Sequence, residues 1–577
     1  MVEANDLAEA ESHLAAMIDP PARLWRKLGE TALVHQANRQ AMEAFERAIR
    51  IEEEQATEVA LRLELVIRAA EAAQRCGSSA VFDRQIRRAI DLADQVDAPE
   101  ALARVLALRT DPGFAADDVW LGHFDRAWSD LGDARSTVAV ELLRAQVYAT
   151  YLSDPEQSSS MATDALAMAG DVDEPMAWSA AYDAMRLVAV RSDTPTQLAE
   201  IGAQLVHLGR GGDLDALARG YDAIIFAALL TGDTSAIGRY VAAYAAHAER
   251  TRHPHHRVML AGARTLLAIA RGELETARFL GTEALTEALT IGNSLGIQIA
   301  MAQQAMIAIE ADEATTALPV GTEQIDTSPL VRWWRLGQLL RASRYGHDTE
   351  AADLLGELLP DEGALDHWRF VWLGELVVLT DAAVLTGDRE RAQLLAAELR
   401  PYSDRFATLS TTVHLGSVWR PIAGVAALLG DAEAADRAYR RAEEADRRMG
   451  VLLCLSRSRI EHARLLANTG RRAEAATLID LALDTTERLG LKRLTADAHA
   501  VQAEAGLDHL SIEVPGLSDR ETELLMAVAK GRSNRELAAQ FHVSIKTVER
   551  HLSNIYAKLG VTGRNEAVQV ALSSRGG

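Results

Sequence analysis

Apolar residues recur at spacings of three and four along almost the whole chain, interrupted by short breaks marked by Gly or Pro, so the pattern predicts helix after helix from about residue 20 to about residue 510. A second regularity lies over the first. Gly is followed five positions later by Ala at Gly272 and Ala277, Gly346 and Ala351, Gly387 and Ala392, Gly430 and Ala435, and Gly470 and Ala475, while Gly232 has its Ala at 236. These glycines recur at a nearly constant interval, doubled once between Gly272 and Gly346, where one degenerate position must lie. The interval predicts a repeat of roughly 40 residues. Each repeat reads as a helix hairpin. Gly closes the first helix in a left-handed turn, and the small Ala lets the second helix approach closely.

Near the start, Trp25, Leu28, Gly29, Ala41, Phe45 and Ala48 follow one another in the tetratricopeptide register, and Trp333, Leu336 and Gly337 restart it. The region resembles a tetratricopeptide array with helices longer than the usual unit; HEAT-type repeats share a similar period. The fold class expected is all-α: a superhelical array of tetratricopeptide-like hairpins, roughly a dozen of them, presenting a concave face to a ligand or partner protein. Of Trp333 and Trp334, at least one is expected in the repeat core.

The period breaks at AGLDHLSIEVPG, where Pro515 and Gly516 mark a linker. The chain then divides as repeat domain 1–510, linker 511–516 and terminal domain 517–577. Ser518 with Glu521, and Ser533 with Glu536, form capping boxes, each opening a helix. The first helix carries Leu524, Leu525, Val528 and Ala529 at helical spacing and ends at Gly531; the second is short, runs to Gln540, and turns Leu537, Ala538 and Phe541 inward. Phe541-His542-Val543 makes a turn, and Ser544 caps a third helix reaching about Leu559. On that helix Val548, Leu552, Ile555 and Leu559 make one apolar stripe, leaving Lys546, Thr547, Glu549, Arg550 and Ser553 on the opposite side. A short helix, a three-residue turn and a long helix with a polar outer face is the arrangement of a helix-turn-helix reader. Lys546, Thr547, Glu549, Arg550 and Ser553 are the candidate base contacts, with Arg550 suited to guanine and Glu549 to a cytosine amino group. Ser533, Asn534, Arg535, Ser544, Lys558 and Arg564 are the candidate phosphate contacts.

The segments LSDRETELL, KGRSNRELA, VSIKTVERHLSNIYAKLGV and RNEAV closely resemble the DNA-binding domain of LuxR-type transcriptional regulators. The resemblance implies a four-helix module that dimerises through its last helix, here about Arg564 to Leu572, and binds a two-fold symmetric site. In this chain that helix is short and is followed at once by Ser573-Ser574-Arg575-Gly576-Gly577. Large ATP-binding LuxR-type regulators place a nucleotide-binding domain before a helical-repeat region and the DNA reader, and this chain resembles only the last two parts.

Charge sharpens the division of labour. From Gly516 onward there are nine Lys or Arg against six Asp or Glu, whereas the rest of the chain holds 51 basic and 77 acidic side chains. DNA should therefore be repelled everywhere except at the terminal module. The 48% hydrophobic fraction with only 5% aromatic residues agrees with helices rather than strands. The only cysteines, Cys76 and Cys454, exclude a disulfide framework or a thiolate zinc site and suit a reducing cytoplasm. The N-terminal MVEANDLAEAESHL has neither half of a signal peptide, and no window is long and apolar enough to span a bilayer, so a cytoplasmic location and no membrane partner are expected.

A P-loop needs a Gly-Lys pair, and none occurs in the chain. No receiver-like acidic pocket on alternating strands precedes the reader, and no hydrolase motif stands out, so the expectation is a non-enzyme without cofactor. His253, His255 and His256 in TRHPHHR are interrupted by Pro254, which reads as an exposed turn between helices, and the absence of a carboxylate or Cys at fixed spacing predicts no metal. The expected function is a bacterial sequence-specific transcription regulator whose repeat body senses a ligand or partner protein. Its partners would be double-stranded DNA, a second copy of itself on that DNA, and RNA polymerase as a further candidate. A helical-repeat scaffold whose terminal domain mainly dimerises is the alternative.

Overall fold

A computed structural model of the chain describes residues 2–568 apart from 18–19, 36, 56, 97, 111–117, 152, 191–193, 314–330, 361–371, 410, 508–515, 530–531, 542 and 565. Residues 511–515 of the expected linker and the Gly531 helix end lie outside these residues, as do His542 and the last helix beyond residue 568. Two compact units are present. One comprises residues 1–308 and 314–415, the other residues 309–313 and 416–577.

The helical repeat has a simple origin. Gly232, Arg252, Gly272, Gly292 and Asp312 all adopt positive φ, from 51° to 76°, and they are evenly spaced, two to each repeat. Two long helices, each closed by a short turn, therefore make one period: Leu214–Thr231, Thr234–Thr251, Pro254–Ala270 and Leu274–Ile291 follow one another this way. In the second unit Gly430, Gly450, Gly470 and Gly490 repeat the spacing with φ of 91°, 75°, 84° and 69°. The degenerate position between Gly272 and Gly346 is Asp312, φ 52°, one of the short polar residues that tolerate the left-handed region. The alanines that follow the marker glycines are buried: Ala277, Ala351, Ala392, Ala435 and Ala475 at 0% exposure and Ala236 at 6%. Aspartates provide many of the second-helix caps; Asp213, Asp233, Asp388 and Asp431 each accept the backbone N–H three residues on.

The tetratricopeptide positions behave differently at their two occurrences. Trp25, Leu28, Ala41, Phe45 and Ala48 are buried, and a Cβ on Gly29 would lie 2.8 Å from the Phe45 ring. Trp334 and Leu336 are buried, but nothing lies within 4 Å of a Cβ on Gly337. Gly29→Ala is therefore expected to destabilise by about 1–3 kcal/mol through overpacking, whereas Gly337→Ala should stabilise by about 0.5–1 kcal/mol through helix propensity. Opposite shifts of the urea midpoint for the two variants check this.

One departure from an all-helical chain was not anticipated. Phe406–Leu409 and Val413–Ser417 form a two-stranded sheet, and every residue of the two strands is buried. A Cβ on Gly374 of the helix Trp372–Thr386 would sit 2.3 Å from the Thr408 carbonyl oxygen, so the first strand lies directly on that helix. The strands are short, and a continuous apolar run of four or five residues carries no period to separate strand from buried helix.

In the second unit the terminal residues fold as three described helices, Asp519–Ala529, Asn534–Gln540 and Ile545–Leu559, with residues 564 and 566–568 helical beyond them. Leu525, Leu537, Val548, Ile555 and Ala567 are at 0–1% exposure and, with Leu524, Val528, Phe541 and Leu552, form one closed core.

Candidate DNA interface and an internal cavity

Both capping boxes form. The Ser518 N–H donates to Glu521 Oε2 at 2.9 Å while Ser518 Oγ accepts from the Glu521 N–H at 3.4 Å; Ser533 and Glu536 do the same at 2.7 and 3.4 Å. Ser544 Oγ accepts the Thr547 N–H at 3.1 Å, starting the third helix, and Gly560 ends it at φ 67°. This helix buries Val548, Leu552 and Ile555 and turns Lys546, Glu549, Arg550 and Ser553 outward, with Thr547 partly covered. His551 and Asn554 share the exposed side, and the sequence reading did not single them out.

The candidate contacts divide into free and engaged groups. Among the described residues, Arg535, Lys546, Glu549 and Arg550 are without a hydrogen bond or ion pair from their side chains, so their heads remain available to a ligand. Thr547 Oγ1 lies 2.7 Å from Ser544 Oγ, and Ser553 Oγ donates to the Glu549 carbonyl at 2.9 Å. Lys558 Nζ donates to both Glu521 oxygens, at 2.7 and 2.6 Å; this ion pair together with the Ser518 N–H holds the Glu521 carboxyl down to about 2. Arg564 donates to Asn534 Oδ1 at 3.3 Å and to the Arg532 carbonyl, which ties the last turn to the start of the second helix. Arg532 in turn pairs with Asp484 of the helix Arg472–Leu489, inside the same unit.

A second site lies in the first unit and was not legible as a site in the sequence. The turn at Gly77–Ser79 meets the turn at Ile291–Gly292, far later in the chain: Ser79 Oγ donates to the Ile291 carbonyl at 2.7 Å, and Gly77 at φ 76° leaves room for Ile291. This closure bounds a cavity of about 440 Å³. Its wall includes one face of Leu214–Thr231, where Asp215, Arg219 and Asp222 stand four and three positions apart on an otherwise mainly buried helix. Arg186 and Arg219 are held by Asp183, which is 0% exposed: Arg186 Nε and Arg219 Nη1 each donate to it at 2.9 Å, and the Tyr148 hydroxyl donates at 3.1 Å.

The triple-histidine turn forms part of the same wall, which corrects the reading of it as exposed. His253 caps the helix Pro254–Ala270 with Pro254 at its first position, and His253 and His256 are 9% and 4% exposed. Pro254 suits a helix start as well as a loop, because its missing N–H is one that the first turn leaves unsatisfied anyway. The two rings stack with centroids 4.2 Å apart, and His256 Nε2 lies 3.2 Å from Asp215 Oδ1. Burial pushes His253 down to about 3 and His255 to about 4, so both are neutral at physiological pH. Burial acts oppositely on Asp222, raising it to about 6, while the hydrogen bond from His256 overcomes burial and holds Asp215 well below the usual carboxylate range.

The fold and the exposed polar helix define the class of the terminal module, a helix-turn-helix DNA-binding domain at the end of a helical-repeat chain. Residues 515–571 match the family described as bacterial regulatory proteins, luxR family, and this segment is a luxR-family helix-turn-helix domain. The response regulator protein VraR of Staphylococcus aureus and that of Staphylococcus epidermidis are each 52% identical to this chain over 52 residues, 9% of this chain and 25% of theirs. The chain thus spans about a quarter of the length of these curated relatives. A solved circular tandem repeat protein with a novel repeat topology aligns over 96% of this chain and 90% of its own at 15% identity, but with a TM-score of 0.14 the likeness bears no argument. No described helix is long and apolar enough to cross a membrane.

Proposed function

We propose that the chain is a cytoplasmic, sequence-specific transcription regulator in which residues 517–577 read DNA, residues 511–516 link, and residues 1–510 form a tetratricopeptide-like sensor. The observation that carries this reading is the third helix of the terminal module: an apolar stripe locked into a closed core beneath an outer face where Lys546, Glu549 and Arg550 have no partner among the described residues. Such a helix enters the major groove with its N-terminal half, with Lys546, Thr547, Glu549, Arg550 and Ser553 at base edges and Ser533, Asn534, Arg535 and Ser544 along the backbone. Lys558 and Arg564 reach phosphates only by exchanging the partners they now hold, so their contribution to affinity is smaller than that of Arg535.

One reader with this few phosphate contacts binds weakly at physiological salt, so two copies on half-sites about one DNA turn apart supply the affinity. The cavity in the first unit supports sensing of a small molecule rather than a peptide, because its volume of about 440 Å³ suits a small ligand and it combines paired Arg and Asp groups with apolar wall from Phe226, Leu187 and Ile299. Selection of genomic DNA fragments by the full chain tests the reading. Enrichment of a two-fold related sequence, bound in a salt-sensitive way, is expected; equal retention of all fragments, or none, would remove it.

A further inference from the structure

We propose that the first unit binds one divalent transition-metal ion of the zinc class through Asp215, His253 and His256, leaving a coordination position open toward the cavity. The site goes beyond the DNA-reading function and stands or falls separately from it, because every ligand lies in the first unit and every candidate DNA contact in the second.

Geometry carries the assignment. Each of the three residues offers one donor atom, and these atoms all lie within 4.8 Å of one another. Donors bound tetrahedrally to zinc at about 2.0–2.2 Å stand roughly 3.3–3.6 Å apart, so small side-chain rotations close the set. The scaffold already holds the ligands in place: His253 is the cap and His256 the third residue of a helix whose first position is Pro254, and Asp215 sits in the first turn of Leu214–Thr231. Sulfur is absent from the set, and two imidazoles with one carboxylate suit zinc and its neighbours rather than calcium or magnesium.

A second observation points to something bound there. Nδ1 of His253 is buried without a hydrogen-bond partner among the described residues, and so is Nδ1 of His256, whose Nε2 is the nitrogen that faces Asp215. A buried imidazole nitrogen without a protein partner is a group that an ion or a water at the site satisfies. His255 differs, since its Nδ1 faces Asn293 Nδ2 across the neighbouring turn, which leaves it outside the ligand set. Arg186, Arg219 and the two helix N-termini oppose a cation. Asp183 neutralises part of the arginine charge, and Asp222 adds a carboxylate on the same helical face as Asp215, so the wall is not uniformly positive. Three protein donors facing a cavity leave room for water or an oxygen of a small molecule as the fourth ligand.

The test uses the full chain, stripped with chelator, reloaded with zinc chloride and freed of excess ion by dialysis. One zinc retained per chain is expected, with an X-ray absorption spectrum showing nitrogen and oxygen donors that include two imidazoles and no sulfur, and with Co(II) giving the intense visible bands of a four- or five-coordinate site. His256→Gln and Asp215→Asn should each weaken zinc binding at least tenfold, whereas His499→Gln, at an exposed histidine of the second unit, should leave it unchanged. Circular dichroism decides whether each variant is folded. No retained zinc in the wild-type chain, a coordination shell without two imidazoles, or unchanged affinity in folded His256→Gln and Asp215→Asn would overturn the proposal. The spectrum of the wild-type chain is decisive even where a variant fails to fold.

Discussion

Asp183→Ala is expected to lower the stability of the first unit by about 3–5 kcal/mol, the usual cost of leaving a buried charge uncompensated. Asp183 has no exposed surface and receives Arg186, Arg219 and the Tyr148 hydroxyl together. Its removal strands two guanidiniums whose side chains are only 14% and 23% exposed, a much larger loss than any one of its hydrogen bonds would suggest. The pH dependence separates this mechanism from a simple cavity. Burial by itself would raise the Asp183 carboxyl, but Arg219 and Arg186 outweigh it and hold the group below its ordinary value. A carboxyl depressed in the folded state contributes stability that is complete above its unfolded value, about 3.9, and is lost as pH falls through the folded value. The difference in unfolding free energy between wild type and Asp183→Ala should therefore be level from pH 8 to about pH 5 and shrink below about pH 4. A difference independent of pH down to 3 would show that the charge plays no part. Thermal unfolding followed across that range is the measurement.

Arg550→Ala should abolish most sequence discrimination while leaving affinity for random DNA nearly unchanged. The side chain is exposed on the outer face of the third helix, next to Glu549 and within two turns of the cap at Ser544, and it is not engaged elsewhere among the described residues. If it makes one bidentate contact with guanine, its loss costs about 1–3 kcal/mol on the preferred site only. Lys558→Ala provides the contrast. If Lys558 exchanges Glu521 for a phosphate on binding, its loss weakens all sequences alike and reduces the salt slope by at most about one, and the substitution also breaks the pair with Glu521 that ties the third helix to the first capping box. Titration of preferred and scrambled duplexes at several salt concentrations reads both effects. Equal losses on the two duplexes for Arg550→Ala would remove its role as a base reader.

Much of this organisation is local, and local organisation can be read from a linear chain. A left-handed glycine, an aspartate cap or a serine capping box acts on its immediate neighbours, so the repeat period, the buried alanines and the order of helices in the terminal module follow from short stretches of sequence. The apolar stripe of Val548, Leu552, Ile555 and Leu559 is equally local, which is why the exposed side of the third helix was identifiable with its residues named. The engaged state of Lys558 and Arg564 was not, because their partners, Glu521 and Asn534, are 37 and 30 residues away on other helices.

The cavity belongs entirely to long-range packing. Asp215 and His256 sit on different hairpins, and Ser79 meets Ile291 across an interval of 212, over which no sequence period specifies which side chains will meet. The histidines illustrate the limit. A Pro between them is equally at home in a surface turn or at the first position of a buried helix, and only the packing of successive hairpins, which brings the face of Asp215, Arg219 and Asp222 against that helix start, selects between the two. Repeats and caps are written in short-range chemistry; a site assembled from several hairpins exists only once the hairpins stack, because the stacking alone sets which polar groups are left facing one another away from water.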